Sequence, residues 1–528
     1  MKAFYGLILG VSVILWSISG CKLKPNEVGL PNYNAEILGP IVTGSYTGSD
    51  FISDNSQIST VDPQGLVTLA YRGDIPTLGI EDYLLLPNQS FPIGAVIPPG
   101  TSPTLTFTHA FSLNIPNGAQ LTELDLRSGY FGLNLISTSS AQINCSFRFV
   151  NATRPNSQPV ILNINLPPGG STRDSVMLTD AIIDLTNGSV GTYNALAVEF
   201  TYTSIGGNLN FNNVLAGSSF FLSNFKPGFA KGYLGTYSDS LKGTFSIPIF
   251  ERFYSGQLQF ESPYLSTTLS NSFGVGMAFP NSPTSVFISG KNNNRDPNDS
   301  VMIGAAFRGR TVNPCPSRTS PPAITTIRVD GVQDNFPAFI SLFPSQIRYN
   351  LGLTVNPNSV GNYNQFISDT SKFGGQFEFG LPLSFQANNL TISDTLPFKM
   401  LGDSSLAKIV DGKLITFVNN GLPVEFYFQA YFLDENQIIR DSLFESQRYV
   451  NPANISPDGR ISTPSRQEFT TVLDIFKADK VKAMRYIRPV FSVRSVPAGG
   501  FVKIYNDFTL QFKVVGDLRF NLLSETGN

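Results

Sequence analysis

The chain has 528 residues, of which 41% are hydrophobic and 14% are charged, and its formal net charge is −2. This apolar content is sufficient for sizeable cores and excludes an intrinsically disordered chain. With 36 Lys and Arg against 38 Asp and Glu, there is no basic excess for binding phosphates, so nucleic acid is not an expected partner. A single His and three Cys also exclude most metal sites built on imidazoles or thiolates.

The amino terminus has the pattern of an export signal. Lys2 precedes the apolar run Ala3–Trp16, which is shorter than the roughly 20 residues that a membrane-spanning helix needs. Ile18-Ser19-Gly20-Cys21 then resembles a bacterial lipobox. The resemblance implies a signal peptide over residues 1–20, cleavage before Cys21 and lipidation of Cys21. Acyl chains there would hold the protein firmly to a membrane. The alternative is an ordinary secretory signal that is cleaved elsewhere.

Residues 21–33 are polar and contain Pro and Asn, which predicts a flexible tether between the lipid and the folded body. Lys22, not Asp, follows the cysteine. By resemblance to enterobacterial lipoprotein sorting, this favours the outer membrane. Whether the body then lies on the periplasmic or the extracellular face stays open.

The body of the chain has the pattern of an all-β protein. Apolar and polar residues alternate in short segments, which are Thr104–Leu113, Gln142–Phe149, Val424–Phe432 and Phe508–Val514. Period-two alternation with frequent turn residues predicts tandem antiparallel β-sandwich modules with few short helices. The best helix candidate is Arg466–Met484. Asn419-Asn420-Gly421 predicts a hairpin that joins Leu414–Val418 to Val424–Leu433.

The proline-rich segment Asn313–Pro322 is the clearest linker candidate, and Asn224–Gly243 is a softer boundary. They divide the body into predicted β-sandwich modules at 34–225, 226–320 and 321–528. A weak repeat of a strand followed by an Asn-rich turn includes Asn271–Val275 and Asn356–Gly361. This phrase is similar to that of LEA-type, immunoglobulin-like sandwiches and implies the same fold.

No common catalytic motif occurs, and the few candidate residues have structural explanations. His109 shares the apolar face of its segment, which indicates a semi-buried core histidine. Cys145 and Cys315 either form a disulfide or remain core thiols, and both possibilities stay open. The segment Asn292–Asp299 has oxygen ligands for Ca²⁺, but turn formation explains it equally well. We therefore expect no enzyme activity, no metal and no cofactor.

Five tripeptides consist of Asp, then Ser or Thr, then an aliphatic residue. They resemble the O-glycosylation acceptor phrase of exported Bacteroidota proteins. The resemblance implies sugar on Ser175, Ser240, Ser300, Thr395 and Ser442. The alternative is that Asp-Ser is a frequent entry from a turn into a strand.

Together these features resemble an outer-membrane lipoprotein of the Bacteroidota type. We expect a non-catalytic accessory subunit of a β-barrel or another envelope complex, because Asn, Tyr and Phe on a surface poor in Lys and Glu are typical of interfaces. Its expected partners are the membrane and an outer-membrane protein. The first alternative is surface glycan binding by aromatic rings such as Tyr427 and Tyr431, or Tyr233 and Tyr237, and the second is lipid carriage in an apolar groove.

Overall fold

The computed structural model describes residues 33–47, 57–292, 296–331, 333–357, 361–393, 395–397, 407–474, 476–477, 480, 484–497 and 500–522. The predicted signal peptide 1–20, Cys21 and all but the last residue of the predicted tether 21–33 lie outside these ranges. Within them, no helix has the length and apolar character needed to cross a membrane.

The described chain is all-β, as predicted. In chain order, its first strands are β1 (Tyr33–Thr47), β2 (Gln57–Val61), β3 (Val67–Leu78), β4 (Gln89–Pro92), β5 (Thr101–Ser102), β6 (Thr104–Ser112), β7 (Gln120–Ile136), β8 (Gln142–Arg154), β9 (Gln158–Leu166), β10 (Ser171–Met177), β11 (Ile182–Asp184), β12 (Ala195–Ile205), β13 (Leu209–Asn210), β14 (Ser219–Tyr233), β15 (Tyr237–Ser246), β16 (Phe253–Phe260), β17 (Tyr264–Asn271), β18 (Met277–Ala278) and β19 (Val286–Asn292).

The strands of the second half are β20 (Asp296–Ile303), β21 (Thr311–Val312), β22 (Ala323–Asp330), β23 (Gln346–Val355), β24 (Gln365–Ser368), β25 (Phe373–Pro382), β26 (Ser384–Ser393), β27 (Leu396–Pro397), β28 (Ala407–Asn420), β29 (Val424–Leu433), β30 (Ile439–Ser442), β31 (Arg448–Val450), β32 (Asn454–Ile455), β33 (Ile461–Thr463), β34 (Ser465–Leu473), β35 (Tyr486–Ser495), β36 (Val502–Lys503) and β37 (Thr509–Leu522). The α-helices α1 (Ile80–Tyr83) and α2 (Phe336–Ser341) are short, and single 3-10 turns lie at Gly94–Val96, Pro116–Gly118, Pro155–Ser157, Pro248–Arg252 and Gln333–Asn335.

Alternation along the strands decides which side chains enter the core, because successive residues of a strand point to opposite faces. In β6, Phe111 is buried and His109 is half-buried, whereas Thr104, Thr106 and Thr108 are exposed. In β8, the apolar residues are buried on one face in the same way. These faces are the predicted ones.

The strands pair antiparallel in several sheets. Their orders are β24-β14-β7-β11-β8-β12-β6 with β10, β4 and β9 attached, β2-β3-β25-β17-β22, β20-β19-β23-β18-β21 with β15 attached, β16-β26-β35-β29-β30 with β27, β31 and β36 attached, β1-β37-β28-β34, and the two-stranded pairs β13-β5 and β32-β33. The first of these is a ten-stranded sheet, and the fourth is an eight-stranded sheet.

Strand pairing does not follow the predicted module boundaries. The boundary at 225/226 falls inside β14, which pairs with β7 over most of its length. β3, in the first predicted module, pairs with β25 in the third, and β25 also pairs with β17 in the second. Ladder hydrogen bonds thus join all three segments, so the division at 34–225, 226–320 and 321–528 has no support from the sheets.

The proline-rich segment Asn313–Pro322 is a packed loop between β21 and β22, not a linker. Cys315 is buried, and its N–H donates to the carbonyl of Phe273 over 2.8 Å. The guanidinium of Arg318 lies 4.6 Å from the ring centre of Phe229. The prolines therefore shape a loop that is fixed at both a backbone and a side-chain contact.

The predicted hairpin at Asn419-Asn420-Gly421 is wrong, because β28 and β29 belong to different sheets. Asn420 is buried, and its Nδ2 donates to the carbonyls of Val424 at 3.0 Å and Asn451 at 2.7 Å. Its Oδ1 accepts the N–H of Leu422. These bonds satisfy the backbone of a corner that carries the chain from one sheet to the other.

Asn271 holds a second corner with the same pattern of bonds. Its Nδ2 donates to the carbonyls of Val275 at 2.9 Å and Asn313 at 2.8 Å, and its Oδ1 accepts the N–H of Phe273. The Asn-rich turn at Asn271–Val275 is therefore a sheet-to-sheet corner.

The helix predicted at Arg466–Met484 is wrong over its first half. Ser465–Leu473 forms β34, which pairs with β28 from Asn420 to Gly412. Helical residues follow only at 476–477 and 480 in the part of this segment that the structure describes. The available neighbour β28 overrides a loose helical periodicity, as tertiary context often does.

The four-stranded sheet β1-β37-β28-β34 packs against the eight-stranded sheet. The apolar core between them includes Val418, Leu422, Val424, Phe426, Val450, Val502 and Leu510. We call this unit the C-terminal sandwich. Its first strand, β1, comes from the amino-terminal end of the chain and pairs with β37 from Tyr33–Leu522 to Thr47–Thr509.

Candidate functional site

The outer face of the eight-stranded sheet carries a group of aromatic and charged side chains. Val424 and Phe426 of β29 point into the C-terminal sandwich, so Tyr427 points outward. Tyr427 pairs with Tyr449 of β31 on one side and with Ser492 of β35 on the other. We call Tyr427, Tyr431 and Tyr449, with Arg488 and Arg494 beside them, the tyrosine face.

Two tyrosines of this face contact one another. The ring centres of Tyr427 and Tyr449 are 5.1 Å apart, with the planes tilted by 48°, within the range of favourable aromatic pairs. Tyr427 is 38% exposed, and Tyr431 and Tyr449 are half-buried. The pair therefore presents one exposed ring supported by a second.

A buried carboxylate, that of Glu425, bonds to two members of the tyrosine face. Glu425 is only 5% exposed. Its Oε2 accepts the hydroxyl hydrogen of Tyr449, and its Oε1 accepts a hydrogen bond from Arg494. A buried charge is tolerated when it is paired and hydrogen-bonded, and here the pairing also orients Tyr449.

The same bonds determine which groups are charged. The hydrogen bond to Glu425, followed by burial, raises the pKa of Tyr449 to about 12. The hydrogen bond to Glu425 also raises the pKa of the Arg494 guanidinium. Near neutral pH Tyr449 is therefore a neutral phenol beside a charged guanidinium, and its hydroxyl hydrogen is committed to Glu425.

Gln429 alternates along β29 on the same side as Tyr427 and Tyr431, a pattern that predicts exposure, but like Glu425 it is buried. Its Nε2 donates to the carbonyl of Phe444 over 2.9 Å, and its Oε1 accepts the N–H of Phe444. The side-chain amide thus takes the place of a neighbouring strand between β30 and β31. A solvent face that looked uniform in sequence is open only around Tyr427 and Tyr431.

Tyr233 and Tyr237 do not form an aromatic platform. Tyr233 is buried. Tyr237 lies edge-on to Tyr83 at 6.0 Å, and its hydroxyl donates to Asp239 over 3.3 Å. Both rings belong to the packing around α1.

His109 is half-buried, as predicted, with its ring edge-on to Phe111 at 4.7 Å. It pairs across the ladder with Val198 of β12. The histidine thus lies in an apolar setting within the ten-stranded sheet.

The two described cysteines are free thiols, and both are buried. Burial raises the pKa of the Cys145 thiol to about 12. Cys315 packs with Phe229 and Phe366, and its Sγ donates to the carbonyl of Ser317 over 3.2 Å. Of the two possibilities left open, the structure has the unpaired core thiols.

Asn292–Asp299 connects β19 to β20, with Asn292 paired to Asp296. Residues 293–295 and the side chains of 296–299 lie outside the described residues. Asn292 is buried, and its Nδ2 donates to the carbonyl of Phe250 over 3.2 Å. Among the residues that are described, no group of three or more His, Cys, Asp or Glu could hold a metal ion.

The five predicted acceptor residues lie on separate surfaces. Ser175 and Ser300 are exposed on β10 and β20, whereas Ser240, Thr395 and Ser442 are half-buried. Thr395 also accepts a hydrogen bond from Arg488 over 3.0 Å. Glycosylation of these residues stays a prediction.

Three of the tripeptides share a local geometry. The Asp carboxylate accepts the N–H of the next residue at Asp174–Ser175 (2.7 Å), Asp239–Ser240 (2.7 Å) and Asp441–Ser442 (2.8 Å). Such a bond favours Asp before Ser for a conformational reason. It therefore accounts for part of the repeated phrase without a sugar.

Sequence reasoning identified Tyr427 and Tyr431 and missed Tyr449, Glu425 and Arg494. Tyr449 and Arg494 are 24 and 69 residues away from Glu425, so no local pattern joins them. The one available signal was Glu425 itself, an acidic residue in the middle of an aromatic strand.

The sequence matches no protein-family profile, and no curated protein is significantly similar to it. Among solved structures, the comparison matches a protein from Parabacteroides distasonis described as secreted, with 11% identity, a TM-score of 0.25 and coverage of 93% of this chain and 100% of that chain. It also matches the tandem CBM22 domains of Paenibacillus barcinonensis Xyn10C, with 10% identity, a TM-score of 0.12 and coverage of 58% and 98%. TM-scores this low establish neither a shared fold nor a shared function, so the lipobox and the immunoglobulin-like phrase rest on the sequence alone.

Proposed function

We propose that this protein is a non-catalytic, exported lipoprotein, anchored at Cys21 to the outer membrane, that docks a protein partner through the tyrosine face. The observation that carries the docking surface is the Tyr427–Tyr449 pair held by the buried Glu425. The lipobox and the polar tether support export and anchoring.

The composition of this face favours a protein partner. Tyr and Arg are enriched at interfaces, and the residues that dominate binding are most often aromatic or Arg side chains in preorganised settings. The bond from Tyr449 to Glu425 fixes one ring before binding, so less side-chain entropy is lost on association. Tyr427 supplies the exposed ring.

Affinity capture from mildly solubilised native outer membranes tests the docking. The tagged full chain should retain an outer-membrane protein in near-stoichiometric amount. Tyr427→Ala should lower that recovery by roughly tenfold or more, as truncation of a dominant interface residue does. Tyr130→Ala is the matched control, because Tyr130 is 37% exposed on β7 of another sheet, and it should leave recovery unchanged.

Recovery of the full chain alone, or equal recovery with both variants, would contradict docking through the tyrosine face. The same face could instead bind a sugar, since an exposed tyrosine such as Tyr427 presents an apolar ring with a polar hydroxyl. In that case purified envelope polysaccharide, and no protein, would be retained by the chain and lost with Tyr427→Ala.

A further inference from the structure

Several chain segments converge at one end of the C-terminal sandwich. Tyr33 of β1 and Ala407 of β28 both pair with Leu522 of β37. In the facing sheet, Leu433 ends β29 and pairs with Tyr486, which begins β35. Asn420 ends β28 and Val424 begins β29 at the corner between the two sheets, so Ala407 and Leu433 lie at the strand ends away from that corner, which we call the entry end.

The opposite end of the C-terminal sandwich joins the rest of the chain. There Leu66 bridges to Tyr505, and the N–H of Val67 donates to the carbonyl of Ile504 over 3.2 Å. The entry end lies away from this junction, and β16 attaches along the side of the eight-stranded sheet through its pairing with β26.

Exposed apolar side chains cluster on the connections at the entry end. Phe476, which follows β34, is 76% exposed, and Ile438 and Ile439, which follow β29, are about half exposed. The connection after β34 is fixed to the segment that follows β30, because the Nζ of Lys477 donates to the carbonyl of Leu443 over 3.0 Å. Large apolar side chains gathered at a tip are typical of a binding surface.

Basic side chains surround a recess beside them. A cavity of about 660 Å³ is lined by Asp434, Glu435, Asn436, Arg440, Lys480, Met484 and Arg485. Asp434 is committed to Arg440 at 2.7 Å and to the N–H groups of Asn436 and Ile438, and these bonds lower its pKa. With Glu435 as the other acid of the lining, Lys480 and Arg485 leave a cationic excess.

The length of chain before β1 indicates what covers this end. Only eleven residues lie between Cys21 and Tyr33, and a fully extended chain of this length spans at most ~43 Å from one to the other. A lipid on Cys21 would therefore keep the entry end within that distance of the bilayer. The predicted tether also contains two cationic residues, Lys22 and Lys24.

We propose, resting on the Cys21 anchor of the proposed function, that the entry end binds the surface of the anchoring bilayer, with Phe476, Ile438 and Ile439 inserted among the lipids and Lys480 and Arg485 against the headgroup phosphates. Apolar side chains beside cations are the combination that binds interfacially to anionic membranes. Insertion adds a second membrane attachment to that of the short tether, and it orients the folded body relative to the membrane.

Depth-dependent fluorescence quenching tests the insertion on the full chain. The protein is reconstituted into vesicles of phosphatidylethanolamine and phosphatidylglycerol that contain nitroxide-labelled lipid, with a fluorophore on Phe476→Cys or, as the control, on Val190→Cys. Val190 is fully exposed in the loop before β12. The native thiols Cys145 and Cys315 are buried, and both variants share any remaining background.

We expect several-fold stronger quenching at position 476 than at position 190. Adding Lys480→Glu and Arg485→Glu should lower the quenching at 476 toward the control value, because like charges then repel the headgroups. Equal quenching at the two positions would overturn the proposal. The proposal would also be overturned if, in native membranes, a protein covered position 476 and labelled lipid did not quench the fluorophore there. Tyr427→Ala should not change the quenching at 476, which separates this result from partner docking.

Discussion

At the scale of single residues, the most informative group is the buried carboxylate of Glu425. It accepts hydrogen bonds from Tyr449 and Arg494, so this one side chain both orients the Tyr449 ring and balances the charge of the Arg494 guanidinium. Removing either partner leaves a buried charge that is less well satisfied, which is costly. The tyrosine face therefore depends on a residue that scarcely touches solvent.

The Tyr449 phenol should titrate at unusually high pH. Its pKa is raised to about 12, against about 10 for an unperturbed tyrosine. The stabilisation from its neutral form is therefore complete below pH ~10 and is lost as the pH rises from ~10 to ~12. The difference in ultraviolet absorbance between the native chain and Tyr449→Phe, followed against pH, measures this titration.

Tyr427→Phe is the control for that titration, because it removes a neighbouring phenol and keeps the bond from Tyr449 to Glu425. In Glu425→Gln, the pKa of Tyr449 should fall toward the ordinary value. Ionisation of Tyr449 near pH 10 in the native chain would show that the bond to Glu425 does not form in solution.

At the scale of strands, aromatic rings repeatedly lie over glycines of the neighbouring strand. A Cβ added to Gly380 would lie 2.1 Å from Cζ of Tyr264, and one added to Gly132 would lie 2.1 Å from Cζ of Phe221. The Tyr264 ring is sandwiched from its other side by Arg328 at 4.0 Å. Glycine is required in these ladders because the ring occupies the space of a side chain.

Gly380→Ala should therefore destabilise the protein by about 1–3 kcal/mol, the usual cost of forcing extra volume into a packed site. The Tyr264 ring would have to leave both Arg328 and its hydrogen bond to Glu378. Gly39→Ala in β1 is the matched control, since a Cβ there meets no atom within 4 Å. Urea unfolding of both variants measures the difference, and equal midpoints would refute the packing argument.

The sequence predicted strand faces well and strand partners poorly. Alternation identified the buried sides of β6 and β8, because that signal is local. The partners of a strand can lie far along the chain, as β34 and β37 do from β28, so a local turn signal at Asn419-Asn420-Gly421 resembled a hairpin although Asn420 bonds to Asn451 at a corner.

For the candidate site, too, the sequence predicted what is local and missed what depends on strand pairing. The sequence indicated Tyr427 and Tyr431 from their alternation along β29. It could not indicate Tyr449 or Arg494, which reach Glu425 only after three strands have paired. It also placed Gln429 in solvent, because the gap that Gln429 fills between β30 and β31 exists only in the folded sheet.

At the scale of the whole molecule, the sheets join segments that are distant in the chain. β3, β17, β22 and β25 form one sheet from the beginning, middle and end of the sequence. Because β25 pairs with both β3 and β17, and β17 also pairs with β22, these distant segments of the chain depend on one another for hydrogen bonds and apolar contacts.

Residues 34–225, 226–320 and 321–528 expressed separately should therefore fail to fold. The middle fragment would hold β15, β17 and β19 without β23 and β25, with which they pair. Thermal unfolding followed by near-ultraviolet circular dichroism, with the full chain as the control, tests this. A cooperative transition in any fragment would show that this part forms an independent domain.

The pairing of β1 with β37 has a consequence for biogenesis. In the proposed export from the amino terminus, β1 crosses the membrane first. Its pairing with β37, from Thr47–Thr509 to Tyr33–Leu522, can form only after nearly the whole polypeptide has crossed. Until then the β1 edge has no ladder partner and requires protection from aggregation. The four-stranded sheet of the C-terminal sandwich therefore forms only in a full-length chain, since a truncated translation product lacks β37.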